Sequence, residues 1–334
     1  MILGTAVQIT ALRAQIQRLA SFDAPGNPHV PTVLLQGETG TGKGLVARVI
    51  HDGGPRSSGP FVDVNCAAIP EAMLEAELFG FEAGAFTDAK RAKPGLFEAA
   101  SSGTLFLDEI DSLSPPVQSK VLKAIEEKRV RRLGAVTPCD IDVKLIAATQ
   151  KDLAALVAAG AFRADLYHRL SVFTLGVPPL RELEGDKLLL LEHYRRFYAE
   201  QSGVQAFSLD AAAERRWLDY PFPGNVRELR NIVIRLTTKH PGRRLAAADL
   251  EPEFDLEGSA PADTAPGEGD LVAQAVRHLE RSRGVELDRL LAAMERGYIE
   301  AALRLTRGNV SQAAKLLGVN RTTLYSRMGE PKDK

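Results

Sequence analysis

The sequence predicts an α/β protein in which a parallel sheet carries helices on both faces, followed by segments that are helical throughout. Short β-branched runs alternate with helical patterns between residues 32 and 177, as they do in sheets with crossover helices. After residue 178 the strand patterns vanish and helical periods continue to the C-terminus. The five strand-like runs are TVLLQ at 32–36, FVDV at 61–64, TLFLD at 104–108, VKLIAAT at 143–149 and VFTLGV at 172–177.

Changes in composition divide the chain into four parts. The α/β domain is predicted at 1–177 and a small helical domain at 178–252. Residues 253–270 are rich in Pro, Gly, Ala and acidic residues, which predicts a flexible linker. A last helical domain is predicted at 271–334.

Charge and cysteine content exclude several classes of protein. The 334 residues carry 42 Lys+Arg and 43 Asp+Glu, so nucleic acid cannot be bound by bulk charge. Two cysteines exclude a disulfide scaffold and a four-cysteine zinc site, and the six histidines lack metal-ligand spacing. The sequence has no apolar run near the ~18 residues of a membrane helix and no signal peptide. These features predict a cytoplasmic protein that binds no membrane.

A glycine-rich loop follows the first predicted strand and opens a helix, as a P-loop requires. Its backbone N–H groups can surround phosphate oxygens, and Lys43 can reach the β- and γ-phosphates of ATP. Gly44 departs from the general pattern, which has a Ser or Thr hydroxyl there for Mg²⁺. The predicted nucleotide-binding residues are Gly37, Glu38, Thr39, Gly40, Thr41, Gly42, Lys43, Gly44 and Leu45.

Two carboxylates end the apolar strand GTLFLDE, at the sheet edge where parallel sheets bind their ligands. We expect Asp108 to hold Mg²⁺ and Glu109 to polarise the attacking water as general base.

These residues carry a resemblance that covers nearly the whole chain. The sequence resembles a bacterial sigma-54-dependent transcriptional activator, an enhancer-binding protein with an AAA+ ATPase domain and a C-terminal Fis-type helix-turn-helix. The resemblance implies a helical lid at 178–252, a DNA-binding domain at 271–334, and a hexameric ring that hydrolyses ATP between subunits and remodels sigma-54 RNA polymerase. The matching strings are GETGTGKG, FVDVNCAA, ELFGFEAGAFTDA, GTLFLDEID, FRADLYHRLSVF, PPLRE, YPFPGNVRELRN and GNVSQAAKLLGVNRTTLY.

The resemblance also implies roles for polar residues near the phosphates. Asn65 matches the switch asparagine that holds Glu109 until nucleotide is sensed. Thr149 lies at the sensor I position, although Gln150 follows it where Asn or His is frequent, so the assignment between the two stays open.

Three arginines match residues that complete the site. Arg163 and Arg169 match the paired arginines that enter the neighbouring subunit, and otherwise they would be surface arginines of a helix. Arg227 matches the sensor II arginine that brings the lid onto the phosphates. Asn225, just before it, is expected to cap its helix.

A loop at 80–93 matches the segment that touches sigma-54 in the resembled family, where Phe86 and Thr87 make the contact. Asp88 replaces the glycine usual at the fifth position, which could change the reach of the loop. The predicted contact residues are Gly84, Ala85, Phe86, Thr87, Asp88 and Ala89.

Residues 308–325 have the pattern of two short helices joined by a glycine turn. Asn309 with Gln312 forms a capping pair, and residues 300–334 hold seven basic and three acidic residues, a local basic patch for double-stranded DNA. An apolar stripe from Leu287 to Ile299 suits either dimerisation or core packing. The predicted DNA-binding residues are Asn320, Arg321, Thr322, Thr323, Tyr325 and Arg327.

The expected function is ATP-dependent activation of sigma-54 RNA polymerase. The alternative is a DNA-binding regulator that binds nucleotide without activating sigma-54, because of Asp88 and Gly44. A general AAA+ remodeller such as a helicase loader leaves the GAFTDA string unexplained. Because 36 residues precede Gly37, no room for a regulatory domain is expected before it, and control is expected from a protein acting in trans, from expression level, or from a part of the gene absent from this chain.

Overall fold

The computed structural model describes residues 2–20, 30–86, 91–183, 185–258, 299, 302, 306 and 309–316. The chain forms two compact units, Met1–Ser259 and Ala260–Lys334. Within the described residues, none of the helices combines the length and the apolar character needed to cross a membrane.

A five-stranded parallel sheet forms the centre of the first unit, in the order β2-β5-β8-β1-β9. All five predicted strands are present, and the α/β prediction is confirmed. β1 lies between β8 and β9, so its carboxyl end opens beside both neighbours. The strands are β1 (Val33–Gln36), β2 (Phe61–Asn65), β5 (Thr104–Asp108), β8 (Lys144–Thr149) and β9 (Phe173–Gly176).

Helices cover both faces of this sheet, because alternate strand residues point to opposite sides. Val33 and Leu35 pack in the core under α1 (Val7–Ala20) and α2 (Lys43–Asp52). Leu34 packs in the core on the other face. The helices of that second face are α3 (Glu71–Phe79), α4 (Leu96–Ala99), α5 (Pro115–Glu127), α6 (Leu153–Ala158) and α7 (Ala164–Leu170).

Two antiparallel pairs of very short strands lie outside the sheet. β3 (Gly80–Phe81) pairs with β4 (Lys93–Pro94), and β6 (Arg129–Val130) pairs with β7 (Cys139–Asp140). The first pair closes the base of the predicted sigma-54 loop. Strands of two residues carry no alternation, so the sequence pattern did not predict them.

The helical domain after the sheet contains four helices and one short pair of parallel strands, β10 (Ser208–Leu209) and β11 (Arg244–Leu245). Trp217 and Phe222 are fully buried in its core. This confirms the predicted helical domain. The helices are α8 (Asp186–Ser202), α9 (Ala211–Asp219), α10 (Asn225–Lys239) and α11 (Ala247–Gly258).

The prediction of a linker at 253–270 is wrong for residues 253–258, which continue helix α11 with Pro252 inside it. The rest of the predicted linker lies outside the described residues. The Phe254 ring stacks on Tyr220 at 4.0 Å and is buried. Glu253 is also buried and pairs with Arg235 at 2.6 Å. Tertiary packing thus overrides the helix-breaking and acidic composition that favoured a linker.

The second unit is described in part. Its helix α12 (Val310–Leu316) begins after Asn309, whose Oδ1 accepts a hydrogen bond from Gln312 N at 3.2 Å, as the capping pair predicts. Ile299 is buried beside Ala302, Ala313 and Ala314, which favours core packing for that end of the apolar stripe. The second predicted short helix lies outside the described residues.

Candidate nucleotide site

The P-loop connects β1 to α2 and needs its glycines. Gly40 has φ 80° and Gly42 has φ 99°, in the left-handed region that favours glycine. A Cβ on Gly40 would lie 2.2 Å from the carbonyl oxygen of Gly224, so no side chain fits there. The lid therefore packs directly on the loop.

Lys43 is buried at the first turn of α2, and its ammonium group rests on the loop itself. Nζ donates to the carbonyl oxygens of Gly37 at 2.8 Å and Glu38 at 3.0 Å. Burial lowers the pKa of Lys43, while the carboxylates of Asp108 and Glu109 act in the opposite direction. A nucleotide phosphate would give this ammonium a stronger partner than two carbonyls.

A cavity of about 400 Å³ opens at the carboxyl ends of β1 and β5, between the P-loop and the lid. This volume is in the range typical of small-molecule sites. Its lining combines the glycine loop, Lys43 and two carboxylates with the larger side chains of Leu45, Tyr194 and Val226. The lining residues are Thr39, Gly40, Gly42, Lys43, Gly44, Leu45, Asp108, Glu109, Gln150, Tyr194, Val226, Arg227 and Arg230.

The two predicted carboxylates both line this cavity. Glu109 has φ 54° and ψ 47°, a left-handed conformation that is strained for a residue with a side chain, and its N–H donates to Asp108 Oδ1 at 3.0 Å. Strain of this kind persists where surrounding structure fixes it, often at functional sites.

The residues present fit a magnesium ion. Mg²⁺ is commonly held by one or two carboxylates together with substrate phosphates. Asp108 and Glu109 line the cavity beside Lys43. At Gly44 the nearest atom to an added Cβ is Phe106 Cε1 at 3.8 Å, so the glycine leaves room where a hydroxyl usually stands. The carboxylates are thus the charged ligands that the site offers.

Asn65 lies beside the carboxylate pair but faces its own turn. β2 and β5 pair in a register that sets Asn65 next to Asp108. Its Oδ1 accepts hydrogen bonds from Ala67 N at 2.9 Å and Ala68 N at 3.1 Å. These bonds use the amide oxygen, so a contact with the Glu109 carboxylate would come from the Nδ2 donors of Asn65.

Thr149 and Gln150, between which the sensor I assignment stays open, lie in different surroundings. Thr149 is fully buried, and its hydroxyl donates to Asp111 Oδ1 at 2.7 Å. Gln150 lines the cavity, and its Oε1 accepts from the Thr39 hydroxyl of the P-loop at 2.5 Å. Of the two, Gln150 is the residue that lines the cavity, while the Thr149 hydroxyl is bound to Asp111.

Arg227 lines the cavity from α10 as expected, together with Arg230 one turn later. The Arg227 backbone N donates to Gly40 O at 3.2 Å, which fixes the lid helix on the P-loop. Arg230 was missed, although spacings of three and four residues share a helix face and could have indicated it. Tyr194 of α8 was also missed, and no local signal indicated it.

The expectation that Asn225 caps its own helix is wrong. Gly224 is the residue at the cap position, and the helix has no side-chain cap. The Asn225 amide instead donates to Glu38 Oε2 at 3.1 Å and Thr39 O at 3.0 Å, and Leu180 N donates to its Oδ1 at 2.8 Å. The Asn225 side chain therefore bonds residues that are distant in sequence instead of capping its own helix, as the local sequence pattern predicted.

Glu38 also pairs with Arg181, through hydrogen bonds of 2.8 and 2.6 Å from its guanidinium. These bonds and that of Asn225 hold the pKa of Glu38 below its usual value. The role of Arg181 was missed because the two residues are 143 positions apart.

The paired arginines lie at a distance from the cavity of their own subunit, on α7 and its cap. Both Arg163 and Arg169 are exposed, and neither lines the cavity. Arg163 Nη2 donates to Asp165 Oδ2 at 2.7 Å, and Nη1 donates to Ser119 Oγ at 3.1 Å. An exposed arginine outside its own site is what action on a neighbouring subunit requires.

The start of the predicted sigma-54 loop packs on its own base. The Phe86 ring lies 4.8 Å from Phe81, yet Phe86 remains 44% exposed. Gly84 has φ 83°, and a Cβ on Gly134 would approach Ala85 at 3.2 Å. The predicted residues Thr87, Asp88 and Ala89 lie outside the described residues.

The DNA-binding prediction falls on a part of the chain that is not described. Its residues are Asn320, Arg321, Thr322, Thr323, Tyr325 and Arg327.

Comparison with protein families matches three consecutive regions of the chain. Residues 2–176 match the sigma-54 interaction domain, residues 181–266 match the AAA+ ATPase lid domain, and residues 290–330 match the Fis family of bacterial regulatory proteins.

Curated relatives and solved structures agree with this assignment. The response regulator protein PilR of Pseudomonas aeruginosa is 42% identical over 98% of this chain and 68% of its own length. The regulator NtrC of Azospirillum brasilense is 42% identical over 89% of this chain. The chain spans 64% of that protein, so it corresponds to about two thirds of such relatives.

Crystal structures of NtrX from Brucella abortus share the fold. The complex with ATP has a TM-score of 0.67 at 30% identity and the complex with ADP has 0.68 at 32%, each over 98% of this chain. They are covered to 68% and 69% of their own lengths. With its P-loop cavity, lid and matched domains, the chain belongs to the sigma-54-dependent transcriptional activators, which join an AAA+ ATPase domain to a Fis-type helix-turn-helix.

Proposed function

We propose that this protein hydrolyses ATP to activate transcription by sigma-54 RNA polymerase from an upstream DNA site. The observation that carries the proposal is the convergence of Lys43, Asp108, Glu109 and Arg227 on one cavity between P-loop and lid. These are the groups that phosphoryl transfer to water needs: a cation for the phosphates, an acidic pair, and an arginine from the lid.

Each group has a task in this proposal. Lys43 leaves the loop carbonyls and binds the β- and γ-phosphates, and Arg227 approaches the same phosphates from the lid. Asp108 would hold Mg²⁺, which neutralises phosphate charge when it is bound. Glu109 accepts the proton of the attacking water.

Neighbouring subunits complete the site. The exposed guanidinium groups of Arg163 and Arg169 enter the cavity of the next subunit in a ring, which makes hydrolysis depend on assembly. An arginine of this kind contributes roughly 10³ to 10⁵ in rate.

Hydrolysis then drives the loop that begins at Gly84. The exposed Phe86, with Thr87, contacts sigma-54 when ATP is bound. The C-terminal domain holds the ring at double-stranded DNA through the residues from Asn320 to Arg327.

Substitution of two cavity residues tests the ATPase. Lys43→Ala should abolish binding of a fluorescent ATP analogue. Glu109→Gln should bind the analogue as the wild type does, while its hydrolysis rate falls by about 10² to 10⁴, the usual contribution of a general base. Glu126→Gln, on the exposed face of α5, is the matched control. Full turnover by Glu109→Gln would remove that residue from its proposed role.

A further inference from the structure

Gln118 is a fully buried glutamine in α5 that makes three hydrogen bonds to backbone groups. Its Nε2 donates to Leu113 O at 2.8 Å and Ala161 O at 3.3 Å, and its Oε1 accepts from Arg163 N at 2.9 Å. Because carbonyl oxygens accept hydrogen bonds and backbone N–H groups donate them, these partners fix the positions of Nε2 and Oε1 in the side-chain amide. Both polar atoms of the side chain, Nε2 and Oε1, thus have hydrogen-bond partners.

Two of these bonds hold the segment that presents Arg163. Ala161 and Arg163 flank the buried Phe162, so Gln118 holds this short segment on both sides. Arg163 is the cap residue of α7, and its N–H has no partner within that helix. The acceptor that satisfies this N–H is Gln118.

The guanidinium of Arg163 has partners on both α5 and α7. Ser119, next to Gln118 in α5, accepts from Nη1 at 3.1 Å, and Asp165 accepts from Nε at 3.0 Å and Nη2 at 2.7 Å. The backbone N–H of Arg163 is thus held by α5, and its guanidinium is held by Ser119 of α5 together with Asp165 of α7.

The third bond leads to the turn after the catalytic carboxylates. Ser112 N donates to Glu109 O at 2.9 Å, and Leu113 follows in the chain. One buried amide therefore joins this turn to the backbone of Arg163.

We propose that Gln118 is a positioning residue for Arg163, setting its backbone so that the guanidinium reaches the nucleotide of the neighbouring subunit. The inference rests on the proposed function, because it requires Arg163 to act in trans. None of the three residues that hydrogen-bond to the Gln118 side chain lines the cavity of its own subunit. A change at Gln118 should therefore slow hydrolysis at the site next door.

Rings assembled from two different variants distinguish an effect on a subunit's own cavity from an effect on the cavity of its neighbour. Arg163→Ala subunits keep an intact cavity but offer no arginine, and Glu109→Gln subunits offer the arginine but cannot hydrolyse. Each protein alone should hydrolyse ATP far more slowly than the wild type, and the mixture should regain hydrolysis at interfaces where the two meet. If the unmodified mixture stays inactive, the trans role of Arg163 in the proposed function fails, independently of Gln118.

Gln118→Met is then placed in one partner at a time. In the Glu109→Gln partner it should lower the restored kcat by about 100-fold, the effect of a misplacement near 1 Å, and leave KM for ATP unchanged. In the Arg163→Ala partner the same substitution should lower the restored rate by less than tenfold, because there only the bond to Leu113 O beside the carboxylate turn matters. Equal losses in both placements, or a larger loss in the Arg163→Ala partner, would overturn the proposal.

Gln118→Glu keeps an acceptor for Arg163 N, and burial against two carbonyl oxygens favours the protonated carboxyl, whose hydroxyl can donate to one of them. In the Glu109→Gln partner it should retain more of the restored rate than Gln118→Met does. If the two variants lose the same fraction there, the hydrogen bond to Arg163 N is not what positions the arginine, and the proposal fails.

Discussion

The side-chain amide of Asn225 donates to the Glu38 carboxylate across 3.1 Å, joining the first residue of lid helix α10 to the second residue of the P-loop. Asn225 is fully buried and has φ 55°, a conformation that asparagine tolerates better than most residues. Because Arg227 follows two positions later, this contact sets where α10 begins and where its arginine enters the cavity.

Asn225→Asp should weaken ATP binding. The substitution removes the donor to Glu38 and Thr39 and places two carboxylates against each other. We expect KM for ATP to rise about tenfold, equivalent to about 1.4 kcal/mol. Asn225→Gly is the control, since glycine keeps the left-handed backbone and loses the bonds without adding repulsion, so its KM should rise less. An unchanged KM for Asn225→Asp would show that the contact does not position Arg227.

Substitution of Gln150 should affect kcat, whereas substitution of Thr149 should affect thermal stability. Gln150→Ala removes a polar group from the cavity and should lower kcat while leaving thermal stability unchanged. Thr149→Val removes the donor to the buried Asp111 and should destabilise the protein by about 1–3 kcal/mol, with kcat kept. Steady-state hydrolysis and thermal melting of both variants test this. If Thr149→Val instead lowered kcat and Gln150→Ala left it unchanged, Thr149 would be the sensor residue.

Glu253 should stabilise the lid in a pH-dependent way. Burial alone would raise the pKa of Glu253, but the hydrogen bonds and charges of Lys239 and Arg235 together lower it. A carboxyl whose folded pKa is lowered contributes stability above its unfolded pKa and loses it as pH falls through the folded pKa.

We therefore expect Glu253→Gln to lower the free energy of unfolding by about 1–3 kcal/mol at neutral pH, and the difference to shrink as the solution is acidified below the usual carboxyl pKa. Urea unfolding across this range measures it. Glu251→Gln, which breaks the exposed pair with Arg216, should change stability by less than about 1 kcal/mol. If the difference in the free energy of unfolding between the wild type and Glu253→Gln grew as the pH fell, the pKa of Glu253 would not be lowered in the folded protein.

The sequence patterns predicted the parts of this molecule that local rules decide. Strand runs and the P-loop glycines were found because alternation, β-branching and positive φ are properties of short segments. The order of strands β2-β5-β8-β1-β9 was not predicted, because it depends on contacts between distant segments.

The site residues divide in the same way. Lys43, Asp108, Glu109 and Arg227 come together in the cavity as the motifs indicated. The hydrogen bonds of Asn225 could not be predicted, because its partner Glu38 is 187 positions away. Phe254 likewise joined a helix rather than a linker because Tyr220 lies in position to stack on it.

The most direct test of the account is open-complex formation by sigma-54 RNA polymerase on supercoiled DNA with ATP, measured together with ATP hydrolysis for the wild type and for Thr87→Ala. The account predicts that the wild type forms open complexes, and that Thr87→Ala hydrolyses ATP without forming them. A wild type that hydrolyses ATP but opens no promoter would contradict it, and the protein would then be a DNA-binding regulator that binds nucleotide without activating sigma-54.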